Sequence, residues 1–139
     1  MKVVVHVDGG SRGNPGPAAG AAVIATTDGE LLAQATELLG IATNNVAEYR
    51  GLLLGLRRAS ELGATEVELI NDSELVARQL SGIYKVKHPD MRPLHAEALA
   101  ALRAFEHWSI RSVPREQNAA ADALVNAALD GAPANTQPA

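Results

Sequence analysis

Cysteine is absent, and aromatic residues make up only 3% of the 139-residue chain. Without cysteine there is neither a disulfide framework nor a thiolate metal site. With one Phe, one Trp and two Tyr, the core must be assembled from Val, Leu, Ile and many alanines. No apolar stretch approaches the roughly 20 residues needed to cross a bilayer. The N-terminal apolar run, interrupted by His6 and stopped by Asp8, is too short for a secretory signal. A cytoplasmic protein with no membrane partner is the expectation. Lysine is scarce too, occurring only at positions 2, 85 and 87, and the formal net charge is −4. That balance is unusual for a nucleic-acid binder and confines any such affinity to local patches, where arginine supplies most of the charge.

What is present is a set of four carboxylates in places where an isolated acid is hard to justify. Asp8 ends the apolar run Lys2-Val-Val-Val-His-Val-Asp8, and Asp72 ends a second, Glu66-Val-Glu-Leu-Ile-Asn-Asp72. Glu48 follows Thr43-Asn-Asn-Val-Ala, and Asp122 lies within Gln117-Asn-Ala-Ala-Ala-Asp122. Gathered by a fold, like charges raise one another's pKa. A divalent cation relieves this, and hard oxygen donors suit magnesium or manganese. Setting these four aside leaves the rest of the chain formally neutral. Each acid also has a plain structural reading. Asn45-Val-Ala-Glu48 has capping-box spacing, Asp72-Ser73 suits a helix cap, and Asp8 before two glycines or Asn14-Pro-Gly suits a turn.

The length fits one domain, expected over residues 1–130, with the Pro- and Ala-containing stretch 131–139 as tail or linker. Strands are expected at 2–8, 18–26 and 30–39, the last two joined by a turn at Thr27-Asp28-Gly29. A helix over 44–62 ends at Gly63, and a strand at 65–70 precedes a short helix at 73–80. Residues 81–90 form a polar and basic loop. A helix at 93–105, a strand at 107–113 and a helix at 117–129 complete the order. Three antiparallel strands followed by strand–helix alternation predict an α/β fold: a mixed five-stranded sheet with helices on both faces. If the first and fourth strands are neighbours, Asp8 and Asp72 meet at their carboxyl ends, where such sheets place chemistry.

Asp8-Gly-Gly-Ser-Arg-Gly-Asn-Pro-Gly-Pro17, Thr43-Asn-Asn-Val-Ala-Glu48-Tyr, Asn71-Asp72-Ser73 and Val113-Pro-Arg-Glu-Gln-Asn-Ala-Ala-Ala-Asp122 together resemble type 1 ribonuclease H. The resemblance covers essentially residues 1–130. It implies the ribonuclease H-like fold and an endonuclease that cuts the RNA strand of RNA/DNA hybrids, leaving 3′-hydroxyl and 5′-phosphate ends. It further implies two Mg2+ ions, with Mn2+ as substitute. Asp8 would bridge both, Asp122 would help hold the ion that activates water, and Glu48 and Asp72 would hold the ion at the leaving oxygen. Two such ions, roughly 4 Å apart, clamp an in-line displacement. Gly9, Asn14, Asn44 and Asn45 would meet the minor groove of the RNA strand, since amides bond a 2′-hydroxyl. Thr43 would sit at a helix N-terminus suited to a DNA-strand phosphate. None of these contacts reads a base edge, so little sequence preference is expected. The alternatives are a non-catalytic hybrid-binding module and a nuclease of the same fold with another nucleic-acid preference.

Two features depart from the family pattern. Many members carry a histidine in the loop before the last aspartate. Here Arg115 and Glu116 occupy that loop, and Glu116 is the expected partial substitute. Many members also carry a longer basic helix that grips the DNA strand. Only Tyr84, Lys85, Lys87 and Arg92 remain to do this, in a short form without the basic protrusion, which predicts salt-sensitive binding. His6 and Trp108 are expected in the core, His95 and His107 at the surface. A monomer is expected, and since a phosphatase-like domain follows in some bacterial relatives of this short form, the chain is read either as a whole protein or as one domain of a longer one.

Overall fold

The computed structural model describes residues 1–131. β1 (Lys2–Ser11), β2 (Gly16–Thr26) and β3 (Leu31–Ala42) form an antiparallel meander. After α1 (Asn44–Glu61) come β4 (Glu66–Asn71), α2 (Glu74–Leu80), α3 (Arg92–Leu102), β5 (His107–Ser112), a 3-10 turn (Arg115–Asn118) and α4 (Ala119–Gly131). The strand order is β3-β2-β1-β4-β5, with β4 parallel to both β1 and β5. The five-stranded mixed sheet expected from the sequence is the one observed.

Alternation along β1 sends Val3, Val5 and Val7 to one face. There they pack with Val67, Leu69, Ala22 and Ile24 against Leu52 and Leu56 of α1, Leu80 of α2 and Leu102 of α3. Each such buried aliphatic side chain contributes roughly 1.5–3 kcal/mol. On the opposite face Ala19 and Ala21 of β2 meet Val125 and Leu129 of α4. Helices therefore cover both faces, three on one and one on the other. Small alanines on β2 let both layers approach the sheet closely, which is how a core with so few aromatics stays filled.

The helix ends decide two of the plain readings. Thr43 caps α1, its hydroxyl accepting from Val46 N–H at 3.2 Å. Glu48 is thus the fifth residue of the helix, too far along to reach back as a capping-box acid. Ser73 caps α2 by accepting from Val76 N–H at 3.2 Å, which leaves Asp72 without that duty. The Thr27-Asp28-Gly29 turn forms as expected, with Gly29 at φ +94°.

Several local expectations are corrected. β1 does not stop at Asp8 but runs through Gly9 and Gly10 to Ser11, paired with Gly20, Ala19 and Ala18. Glycine breaks a strand only where no neighbour supplies the ladder, and β2 supplies it. Trp108 is not core but 36% exposed, because β5 is the outermost strand of the sheet. His6 is half-buried rather than enclosed. His95 is not a free surface residue, for its Nε2 lies 3.1 Å from the Gln79 carbonyl oxygen. α4 begins at Ala119, after a 3-10 turn that sequence periodicity did not reveal. Apart from Gly131, which ends α4, the expected tail lies outside the described residues. Among the described residues no helix is long and apolar enough to cross a membrane.

Candidate active site

The parallel register of β1 and β4 pairs His6 with Ile70, and two residues further along stand Asp8, still within β1, and Asp72, one residue past the end of β4. The central position of β1, between β2 and β4, follows from its β-branched run. α1 crosses this strand with almost nothing between the two backbones. A Cβ on Gly9 would fall 2.0 Å from the Ala47 carbonyl oxygen, and one on Gly51 would fall 2.1 Å from the Asp8 carbonyl oxygen. Glycine is required at both positions, and Glu48, next to Ala47, is thereby carried to Asp8. Asp122 arrives from the first turn of α4. Its approach is fixed by Asn118, buried at 1% exposure, whose Nδ2 donates to the Val7 carbonyl at 2.9 Å.

All four carboxylates line one open cavity of about 570 Å³, together with Gly9, Gly10, Ser11, Arg12, Asn14, Asn44, Asn45, Arg115 and Asn126. The electrostatic cost is visible. Burial, then the Asp72 carboxylate, then Asp122 push the Asp8 carboxyl up to about 8. Burial and Asp72 push Glu48 up to about 7, against a lowering contribution from the Ser73 hydroxyl. Burial also raises Asp72, while the Arg115 guanidinium pulls it down. Arg115 is the positive charge at hand, its Nη2 lying 3.1 Å from Asp122 Oδ1. Among the described residues no three of these acids stand as a ready-made metal shell. Their chemistry fits a hard divalent cation nonetheless: four oxygen donors on one cavity, two of them with carboxyl groups that burial and mutual repulsion hold near neutral pH.

The amides have a fixed sense. Asn44 Oδ1 accepts from Ser11 N–H at 2.8 Å, and Asn14 Oδ1 accepts from Asn44 N–H at 3.2 Å. Both backbone partners can only donate, which fixes the side-chain oxygen of each amide as the acceptor and leaves its NH2 as the group available to a ligand; both residues line the cavity. Asn45 lines the cavity beside them. Thr43 caps the helix and is not part of the lining. Gly9 lines it, and its lack of a side chain serves the α1 crossing.

Glu116 is exposed on the 3-10 turn and does not line the cavity, whereas its neighbour Arg115 does. Tyr84, Lys85, Lys87 and Arg92 also stand outside that lining, exposed on the segment after α2. Tyr84 lies under the Arg78 guanidinium, 5.5 Å from the ring centroid, and Arg92 Nε donates to the Val86 carbonyl at 3.3 Å. Sequence reasoning gave no role to Gly51, Asn118, Arg12 or Asn126. A glycine inside a helix, which costs about 1 kcal/mol relative to alanine, was the available signal for Gly51. Arg12 joins the turn after β1 to α4 through an ion pair with Asp130 at 2.6 Å.

The model of the reverse transcriptase-like family matches residues 6–128. The crystal structure of ribonuclease H1 from the archaeon Halobacterium salinarum superposes with a TM-score of 0.93 at 45% identity, covering 95% of this chain and 100% of that one. LC11 ribonuclease H1, solved in complex with an RNA/DNA hybrid, gives a TM-score of 0.89 at 39% identity, covering 94% of this chain and 98% of that one. The bifunctional protein Rv2228c of Mycobacterium tuberculosis is 52% identical over 95% of this chain. The chain spans only 36% of the length of that relative. By sequence and fold, the chain belongs to the type 1 ribonuclease H family.

Proposed function

We propose that this chain is a metal-dependent endonuclease that hydrolyses the RNA strand of RNA/DNA hybrids to 3′-hydroxyl and 5′-phosphate ends, with little sequence preference. The observation that carries the reading is the convergence of Asp8, Glu48, Asp72 and Asp122 on one cavity whose wall presents the amide donors of Asn14 and Asn44. The hybrid bound by LC11 ribonuclease H1 supports the same substrate class here.

Asp8, Glu48, Asp72 and Asp122 would hold Mg2+, or Mn2+ in its place. When bound, such ions supply Lewis-acid polarisation of the phosphate and an activated water. The chain's own residues do the rest. Asn14 and Asn44 offer only donors, which suits acceptors of the minor groove and the oxygen of a ribose 2′-hydroxyl. Asn118 and the glycine crossing keep the acids in place while substrate enters, so positioning is set before binding. Arg115, paired with Asp122, is the guanidinium that a phosphate entering the cavity meets, and it occupies the loop where many relatives have a histidine. Glu116 has at most a modest share in turnover, and Lys85, Lys87, Tyr84 and Arg92 contribute affinity through the DNA strand. Asn45 and Gly9 complete the minor-groove wall, and the start of α1 at Thr43 receives a phosphate. Cytoplasmic residence and a monomeric state complete the reading. The greater length of the mycobacterial relative supports a further domain in the full protein, whose phosphatase-like character rests on the family resemblance alone.

A labelled hybrid incubated with and without Mg2+, beside single-stranded and double-stranded RNA, tests the proposal. Metal-dependent cleavage of the hybrid alone is expected. Hybrid binding without cleavage would return the non-catalytic reading, and equal cleavage of double-stranded RNA would overturn the substrate assignment.

A further inference from the structure

Glu48 sits in α1, and Asp72 stands between the end of β4 and the Ser73 cap of α2. One residue after Glu48, Tyr49 is fully enclosed, and Gln79 near the end of α2 is 5% exposed. The Tyr49 hydroxyl donates to Gln79 Oε1 at 2.6 Å. His95 of α3 joins them. Its Nε2 lies 3.1 Å from the Gln79 carbonyl oxygen, which can only accept, so Nε2 carries the proton. Its ring meets Tyr49 edge-on, with centroids 6.4 Å apart and planes at 87°. Three helices thus share one polar knot inside an otherwise apolar cluster.

Such a knot adds little net stability over an apolar replacement, but it admits one geometry where apolar packing admits several. α2 has seven residues, too few to hold a position unaided. Tyr49, one residue after Glu48 on α1, is bonded to Gln79 near the C-terminal end of α2, and Ser73 caps the other end of α2 beside Asp72. Turning α2 about its axis or sliding it along α1 would break the Tyr49–Gln79 bond. Asp72 directly precedes Ser73 and follows the same constraint.

We propose that Tyr49 and Gln79 are positioning residues that set the separation of Glu48 and Asp72 for a divalent cation. The proposal rests on the metal-dependent reading above. Its test is calorimetric titration of Mn2+ into the wild-type chain, Tyr49→Phe, and the double variant Tyr49→Phe/Gln79→Leu, with hybrid-cleavage kinetics and melting curves alongside. Tyr49→Phe is expected to weaken Mn2+ affinity about ten-fold, the scale seen when partners that orient a metal ligand are removed, and to lower kcat while KM for the hybrid stays put. The double variant has no orphaned amide oxygen, so its melting temperature is expected to recover while its Mn2+ affinity does not. It also decides the matter should Tyr49→Phe fail to fold. Unchanged Mn2+ affinity in both variants would overturn the proposal however much the melting temperature moved, and so would restoration of affinity along with stability in the double variant. A wild-type chain that binds no Mn2+ would overturn the metal-dependent reading itself, and this inference with it.

Discussion

The turn after β1 and the start of α1 hold each other through Ser11, Asn14 and Asn44, residues as many as 33 apart in sequence, and Arg12 ties the same turn to Asp130 of α4. The segment between α2 and α3 makes local hydrogen bonds, Ile83 and Tyr84 to the Arg78 carbonyl and Arg92 to Val86, and meets the core through Met91 and Val86. The first region lines the carboxylate cavity and the second does not. The first carries one cation, Arg12, paired to Asp130, whereas the second carries two of the three lysines on exposed side chains. Long-range ties suit a surface that must present donors at set positions. Local ties suit one that needs only to bring positive charge near a backbone of phosphates.

The sharpest way to break this contrast begins at its centre. Asp8→Asn keeps the size of the side chain and removes a ligand charge, and hybrid cleavage is expected to fall by about a thousand-fold or more, consistent with losing a preorganised electrostatic group. Residual activity within ten-fold of wild type would remove Asp8 from the chemistry. Gly51→Ala sets a methyl group against the Asp8 carbonyl. Chemical denaturation is expected to show a loss of about 3 kcal/mol, the upper range for overpacking, and a loss below about 0.5 kcal/mol, the noise level of surface changes, would mean that α1 can lift away freely. Asn44→Asp retains the acceptor for Ser11 but replaces the NH2 that this cavity-lining residue can offer a ligand. KM for the hybrid is expected to rise about ten-fold, as for one charge-opposed hydrogen bond, with the melting temperature nearly unchanged. An unchanged KM would show that the fixed wall does not read substrate.

The acids also predict a pH effect on the metal-free fold. Asp8 and Glu48 have folded-state values raised to about 8 and about 7, above those of the unfolded chain. Their protonated forms therefore stabilise the fold fully at pH below the ordinary carboxyl range, and that contribution disappears as pH rises through 7 and 8. With chelator present, the melting temperature is expected to fall between pH 5 and pH 8.5, and Asp8→Asn is expected to flatten the fall. A metal-free melting temperature that rises over this range would contradict the electrostatic account. The smallest effect belongs to the loosely tied segment. Changing both Lys85 and Lys87 to Ala is expected to raise KM a few-fold, leave kcat alone, and reduce the slope of log affinity against log salt by roughly one to two. An unaltered salt slope would place these lysines away from the hybrid.

Much of this was legible in the sequence. Val-rich β1, the Thr27-Asp28-Gly29 turn and the Gly63 stop gave the element order, and the four motifs identified the acids. What remained hidden depended on neighbours. Gly9 and Gly10 look like strand breakers until β2 is alongside and α1 is seen crossing above. Trp108 looks like core until β5 is found at the edge of the sheet. Tyr49, Gln79 and His95 lie on three helices whose mutual contact no local pattern announces. Asn118 stood inside a recognised motif, but its bond to Val7 spans 111 residues, a distance at which spacing says nothing.

The crossing of α1 over β1 has a consequence for anyone who would transplant this centre. Side-chain spacers can be exchanged, enlarged or compensated by a second change nearby, so distances set by them drift over evolutionary time. Here the interval between strand and helix is set by main-chain atoms meeting main-chain atoms at Gly9 and Gly51, and no companion substitution can shrink a peptide group. The four acids grafted onto another strand and helix would carry the letters of the site without its ruler.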